Sequence, residues 1–133
     1  MSLILTAAQS ASVDGVATES SSQTITGTVQ VRLDEELTAS LAAEVKRVGA
    51  TPANMRYFSM MNVGTVAFTA ITVDGGTVDL PMGISDSITV AGASVCAAFA
   101  AAFSGAATFN DIKVTTPAGV PKCKLRVHIL SNE

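Results

Sequence analysis

The stretch MRYFSMMNVGTVAFTAITVDGGTVDLPMGISDSITV, residues 55–90, decides the fold. It breaks into short apolar and β-branched runs at Asn62-Val63-Gly64, Asp74-Gly75-Gly76 and Pro81-Met82-Gly83, three clusters of turn-forming residues. Short strands with turn signals roughly every eight to twelve residues predict an antiparallel sandwich or barrel. The run holds no cluster of groups suited to chemistry. Residue physics alone therefore reaches a small β module that builds or binds something.

Working outward, Ile25, Gly27, Val29, Val31 and Leu33 alternate with Thr24, Thr26, Thr28, Gln30 and Arg32. That period of two is a half-buried strand, and Thr suits its outward face. A helix is predicted over about 34–48. Asp34 can cap it, Glu35 and Glu36 fall in its first turn and Lys46 and Arg47 in its last, matching the helix dipole. Leu37, Leu41, Val45 and Val48 form its apolar stripe, Gly49 its stop, and Pro52 blocks resumption. Such a helix would lie over one end of the sandwich. Leu33 to Leu37 can also be read as a continuation of the strand.

Residues 93–104 combine Ala-rich helix propensity with Val95, Phe99 and Phe103, which fit a period of two as well as a spacing of four. With strands expected on both sides, the segment is read as a strand of small residues. Phe109, Ile112 and Val114 carry another strand, and Thr116-Pro117-Ala118-Gly119 a turn. The closing strand, Lys122 to Leu130, is clearest: Cys123, Leu125, Val127 and Ile129 face one way, and Lys122, Lys124, Arg126 and His128 the other.

Residues 1–23 read as an extended N-terminal arm: Leu3-Ile4-Leu5, then mostly Ala, Ser, Thr and Gln, with a turn at Val13-Asp14-Gly15 and a polar tract at Ser20-Ser21-Ser22. The arm has too little apolar content for a core of its own. Residues 24–133 form the single β-sandwich domain. At 133 residues the chain can bury a core without disulfides or metal.

Charged residues make up 14% of the chain, against about 25% in ordinary soluble domains. A surface of small uncharged residues is poorly protected against association. Net charge is −3 and the pI about 5.0, so no overall basic field draws nucleic acid. The N-terminus lacks the basic and apolar regions of a signal peptide, and no apolar run is long enough to predict a membrane span. Cys96 and Cys123 each lie in apolar surroundings and are expected to be buried and reduced.

Candidate chemistry is sparse. His128 is the one histidine, placed by alternation on the basic outer face. Asp74, Asp79 and Asp86 lie at or near turns, where Asp bonds local backbone. Gly75-Gly76 leads into a strand pattern and so presents no helix N-terminus to a phosphate. Cys96 lacks the polar surroundings that activate a nucleophile. The chain is expected not to be an enzyme and to need no cofactor or metal. The row Lys122, Lys124, Arg126 and His128 reads either as a contact for an acidic protein surface or as a solvated face that prevents edge pairing. It lacks the aromatics that usually stack nucleic-acid bases.

Asn54-Met55-Arg56-Tyr57-Phe58-Ser59-Met60-Met61-Asn62-Val63-Gly64, the Leu80-Pro81-Met82-Gly83 turn and the closing Leu125-Arg126-Val127-His128-Ile129 together resemble the cement or decoration proteins on the heads of tailed bacteriophages. The resemblance covers roughly residues 54–130. It implies a jelly-roll-like sandwich with several copies lying over junctions of the major capsid protein, a terminal arm adding a strand to a neighbour's sheet, and a location on the virion surface after synthesis in the host bacterial cytoplasm. On that reading the partners are the major capsid protein and further copies of the chain, and Leu3, Ile4, Leu5, Lys122, Lys124, Arg126 and His128 are the candidate contacts. Related folds in phage tail, fibre and neck components leave those roles open. A carbohydrate- or ligand-binding sandwich is the remaining alternative; sugar stacking would need exposed aromatics, and the chain has no Trp and one Tyr, Tyr57, read as buried.

Overall fold

Cys123, Leu125, Val127 and Ile129 are buried while Lys124 and Arg126 are exposed, and the strand carrying this alternation lies inside a sheet rather than at its edge. The computed structural model describes residues 2–37, 44–71, 76–105, 108–116 and 123–133. Its strands are β1 (Leu3–Val13), β2 (Val16–Gly27), β3 (Val29–Leu37), β4 (Glu44–Ala50), β5 (Met55–Asn62), β6 (Phe68–Ile71), β7 (Leu80–Met82), β8 (Ser87–Ala91), β9 (Phe109–Thr115) and β10 (Cys123–Ser131). A 3-10 turn spans Pro52–Asn54, and one α-helix, α1, spans Ala93–Ser104.

Two antiparallel four-stranded sheets have the orders β3-β10-β5-β8 and β4-β9-β6-β7. From β3 to β10 every connection except β6–β7 changes sheet. This is the order of an eight-stranded jelly roll, two Greek keys wound together. Phe58, Met60, Leu125, Val127 and Ile129 of the first sheet face Phe68, Ala70, Phe109, Ile112 and Val114 of the second, all buried.

The helix lies elsewhere than the sequence predicts. Residues 34–37 belong to β3 and 44–48 to β4, while 38–43 fall outside the described residues. The capping and dipole signals around Asp34 contribute about 1 kcal/mol each. Against them stand the nine-position ladder of β3 with β10 and the complete burial of Leu37, the latter alone worth about 1.5–3 kcal/mol. Gly49, expected to end a helix, instead takes φ 60 where β4 slips register against β9. A glycine at positive φ is what such a bulge requires.

Residues 93–104, expected as a strand, form α1. Half of them are Ala, and Cys96, Ala100, Phe103 and Ser104 make a buried stripe at helical spacing. Val95, the residue that favoured alternation, is 54% exposed. The helix closes one end of the sandwich. Phe99 stacks on Phe103 at 5.8 Å, and these two reach Phe58 of the first sheet at 4.9 Å and Phe109 of the second at 5.6 Å. At the other end of β5, buried Asn62 donates from Nδ2 to the Val66 and Met82 carbonyls at 2.9 and 3.1 Å, and its Oδ1 accepts from Gly64 N–H at 3.0 Å.

The turn at Asn62–Gly64 is thus where the sequence places it. The turn expected at Pro81-Met82-Gly83 is displaced: Pro81 lies within β7, an edge strand that tolerates a missing N–H. The chain reverses instead at Gly83–Asp86, where Asp86 accepts the Gly83 N–H at 2.8 Å and returns its own to the Gly83 carbonyl at 3.1 Å. Asp74-Gly75 and residues 117–119 lie outside the described residues.

Candidate interaction surface

Residues read as an extended arm pair with one another. β1 and β2 form a separate two-stranded antiparallel ribbon, turned at Asp14 and Gly15, whose φ values are 50 and 79. Both positive values are those of the mirror-image turns that suit a two-residue hairpin. The ribbon's second strand runs on to Gly27, so the strand expected over 25–33 is broken at Thr28. There the Thr28 N–H donates to the Ser131 carbonyl at 2.9 Å, and Glu133 N–H donates to the Thr28 hydroxyl at 3.0 Å.

The ribbon's root packs on the body. Ile25 is buried, and a side-chain carbon on Gly27 would stand 2.7 Å from the Ser131 carbonyl oxygen and 2.8 Å from Leu130 Cγ. Leu130 belongs to the outward face of β10, so the root covers that face at one end. Away from the root, Thr6, Ala8, Asp14, Ser22 and Thr24 are exposed, and Val16 is 67% exposed. Of the predicted arm contacts, Ile4 is 73% exposed while Leu3 and Leu5 are half-buried.

The basic row is placed as alternation requires, with Lys124 and Arg126 exposed and His128 half-buried on one face; Lys122 lies outside the described residues. Its setting differs from expectation. β10 is flanked by β3 and β5, so the row cannot guard a sheet edge. Nor is it simply basic. Glu36 stands opposite Lys124, and Asp34 opposite Arg126, whose Nη2 donates to Asp34 Oδ2 at 3.2 Å. Both partners of that pair are exposed, which limits it to about 0–1 kcal/mol.

The third cross-strand pair is unlike the others: His128 faces Arg32. Burial, and then the charge of Arg32, hold the imidazole below its ordinary value of 6.5. The His128 ring meets the Tyr57 ring edge-on at 5.5 Å, and its Nε2 lies 3.2 Å from Gln30 Oε1. Tyr57 is therefore half-buried against the ring rather than lost in the core. Across three strands the register makes two rows, Arg32–His128–Ser59 and Asp34–Arg126–Met61. Together they line a depression of about 360 Å³.

The sequence reading missed Arg32 as a site residue, although it placed Arg32 on the outward face of its strand. The missing link was the pairing of the first body strand with the last, a long-range contact that jelly-roll topology supplies and local pattern does not. A second, shallower depression of about 390 Å³ along Ala67–Thr69, Pro81–Gly83 and Thr115–Thr116 carries no charged side chain in its lining.

Both thiols are buried and free, and each points at a backbone carbonyl, Cys96 at Val90 and Cys123 at Ala67. Burial pushes Cys96 up to about 11 against a partial counter-pull from Arg56, and it raises Cys123 as well. A thiol so raised stays protonated at neutral pH and is a poor nucleophile. Among the described residues no group of three or more His, Cys, Asp or Glu could hold a metal ion, and no helix is long and apolar enough to cross a membrane. No protein-family model, no curated protein and no solved structure matches the chain.

Proposed function

We propose that this chain is a non-enzymatic structural protein that works by assembly, as a cement or decoration protein binding the major capsid protein lattice of a tailed-phage head. The observation that carries the reading is the β1–β2 ribbon. Isolated two-stranded hairpins are at best marginally stable in water, yet these strands run 11 and 12 residues and leave Ile4 and Val16 exposed. Each strand also has an outer edge without a ladder partner among the described residues. Such edges template pairing with another chain. A neighbouring subunit that covers the ribbon supplies the burial that the body does not.

Scarcity of charge supports the same reading, since repeated close contacts are easier between small neutral side chains. Attachment at many lattice points makes weak individual contacts effective. The jelly roll itself is neutral on this question, because one fold hosts many functions. The test is mass spectrometry of purified virions together with cosedimentation on purified capsids. A head protein of this kind is present in many copies per particle and binds capsids saturably. Absence from virions, or binding to tails and not heads, overturns the head assignment; the second result favours a tail, fibre or neck module instead.

A further inference from the structure

The depression on the outer face has an unbalanced charge. Asp34 is engaged by Arg126, whereas no described residue gives Arg32 a hydrogen bond or an ion pair. Arg32 instead faces His128 directly across the ladder, a neighbour that offers it no counter-charge and repels it once protonated. Ser59 completes the row, and Met61 beside Arg126 is 40% exposed. A carboxylate held between Arg32 and Ser59, followed by an apolar group against Met61, would satisfy this surface.

The chain carries such a pair at the far end of its own ribbon. Asp14 and Glu19 are the only Asp, Glu, Lys, Arg or His within residues 1–27. Asp14 is exposed at the turn, and Val16, two residues on, is 67% exposed. Acid and apolar group at the tip thus match base and apolar group on the face.

The tip cannot reach its own depression. Along a strand at about 3.3 Å per residue, Asp14 lies roughly 40 Å from Gly27, while Arg32 lies about 16 Å from Gly27 on the other side of the same junction. However the ribbon is inclined at that junction, more than about 20 Å separates its tip from Arg32. The occupant must come from another molecule.

We propose that the Asp14 tip of one copy seats in the Arg32–Ser59–His128 row of a second copy, with Val16 against Met61. The contact joins two different surfaces, so copies exchange tips reciprocally or follow one another into a ring or an open filament. It deepens the assembly reading above, and rests on it only in taking copies to meet.

Sedimentation equilibrium of the full chain tests the contact. Asp14→Asn removes the charge and retains a residue that tolerates positive φ. That variant and Arg32→Asp should each weaken self-association about 30-fold or more, the effect of breaking a desolvated charge pair. Asp14→Lys combined with Arg32→Asp restores complementarity in every contact and should recover association to within about 3-fold of the unaltered chain. Circular dichroism confirms that each variant is folded. A chain that is monomeric at millimolar concentration, or an oligomer indifferent to both single changes, overturns the contact. Capsid cosedimentation separates the two readings: a monomer that still binds capsids sinks the tip contact alone, whereas tip-dependent oligomers that ignore capsids sink the head assignment alone.

Discussion

Replacing Asn62 should be among the most damaging polar substitutions in the chain, and the reason is geometric. Its side chain is 1% exposed and makes three hydrogen bonds, two donated to the Val66 and Met82 carbonyls and one accepted from Gly64 N–H. The Met82 bond crosses from the first sheet to β7 of the second. At about 1 kcal/mol net per bond, with further cost for stranded partners, Asn62→Ala should lose about 3–4 kcal/mol. That is a large share of the roughly 5–15 kcal/mol that holds a domain together.

Asn62→Asp keeps the shape and isolates the electrostatics. The carboxylate oxygen that replaces Nδ2 faces two carbonyl oxygens and has nothing to donate, so the ionised form is disfavoured by both burial and repulsion. The pKa of this carboxyl in the folded state is thereby raised above its unfolded value of about 3.9. A group raised in this way contributes its best below the unfolded pKa and loses it as pH climbs through the folded one. Urea unfolding at about pH 4 and pH 7, with stability taken from the midpoint and slope, is the assay. Asn62→Asp should be worse than Asn62→Ala at neutral pH and recover part of the difference in acid. An Ala variant losing less than about 1 kcal/mol, or an Asp variant with the same deficit at both pH values, would refute the reasoning.

Two other perturbations follow from the surface. Gly27→Val pushes a branched side chain into the Ser131 carbonyl and Leu130, where even one added carbon stands within 2.8 Å; overpacking of this kind costs about 1–3 kcal/mol. Limited proteolysis should then cut near residue 27 well before the sandwich opens, and unchanged cleavage would show that the root is not fixed by this approach. For His128, a folded pKa below 6.5 means that the unfolded chain binds the extra proton first. Stability is therefore full above that value and declines as pH falls from it towards the folded pKa, beyond which the loss is complete. His128→Gln should flatten the decline in urea midpoints on the acid side of about pH 6.5, before carboxylates titrate near 4. A variant that keeps the same slope places the proton uptake elsewhere.

How far the sequence could be read depended on the range of the interaction involved. β10 was legible because its alternation is strict and its outward residues are charged. The Asn62–Gly64 turn was legible because the Asn side chain bonds its own backbone two residues on. The two errors over the helix have different causes. Around residue 34 the local signals favour a helix, and pairing with a strand about 90 residues away overrides them. In α1 the buried stripe runs through Cys96, Ala100 and Phe103, of which two are too small or too ambiguous to mark a helical face. Arg32 was invisible as a site residue for the reason β3 was misread: its neighbour His128 is 96 positions along the chain, as the ladder register shows.

The fold sorts the chain's residues into those that hold it together and those left for other work. Every Phe belongs to the core or packs against it, and the two thiols are spent inside as small apolar groups. The outer face of the β3-β10-β5-β8 sheet instead brings Arg32, Arg126 and His128, three of the chain's nine Lys, Arg and His residues, onto a patch two ladder rows deep. Had those groups served only to keep the protein in solution, dispersal over the surface would have done so without setting a titratable imidazole opposite a guanidinium, which repels it once the ring is protonated. Concentrating them opposes stability only where His128 is charged, and favours recognition of an anion. On the proposed contact, the N-terminal acid sits on a ribbon tip too distant to meet Arg32 within one molecule, and a second copy supplies it.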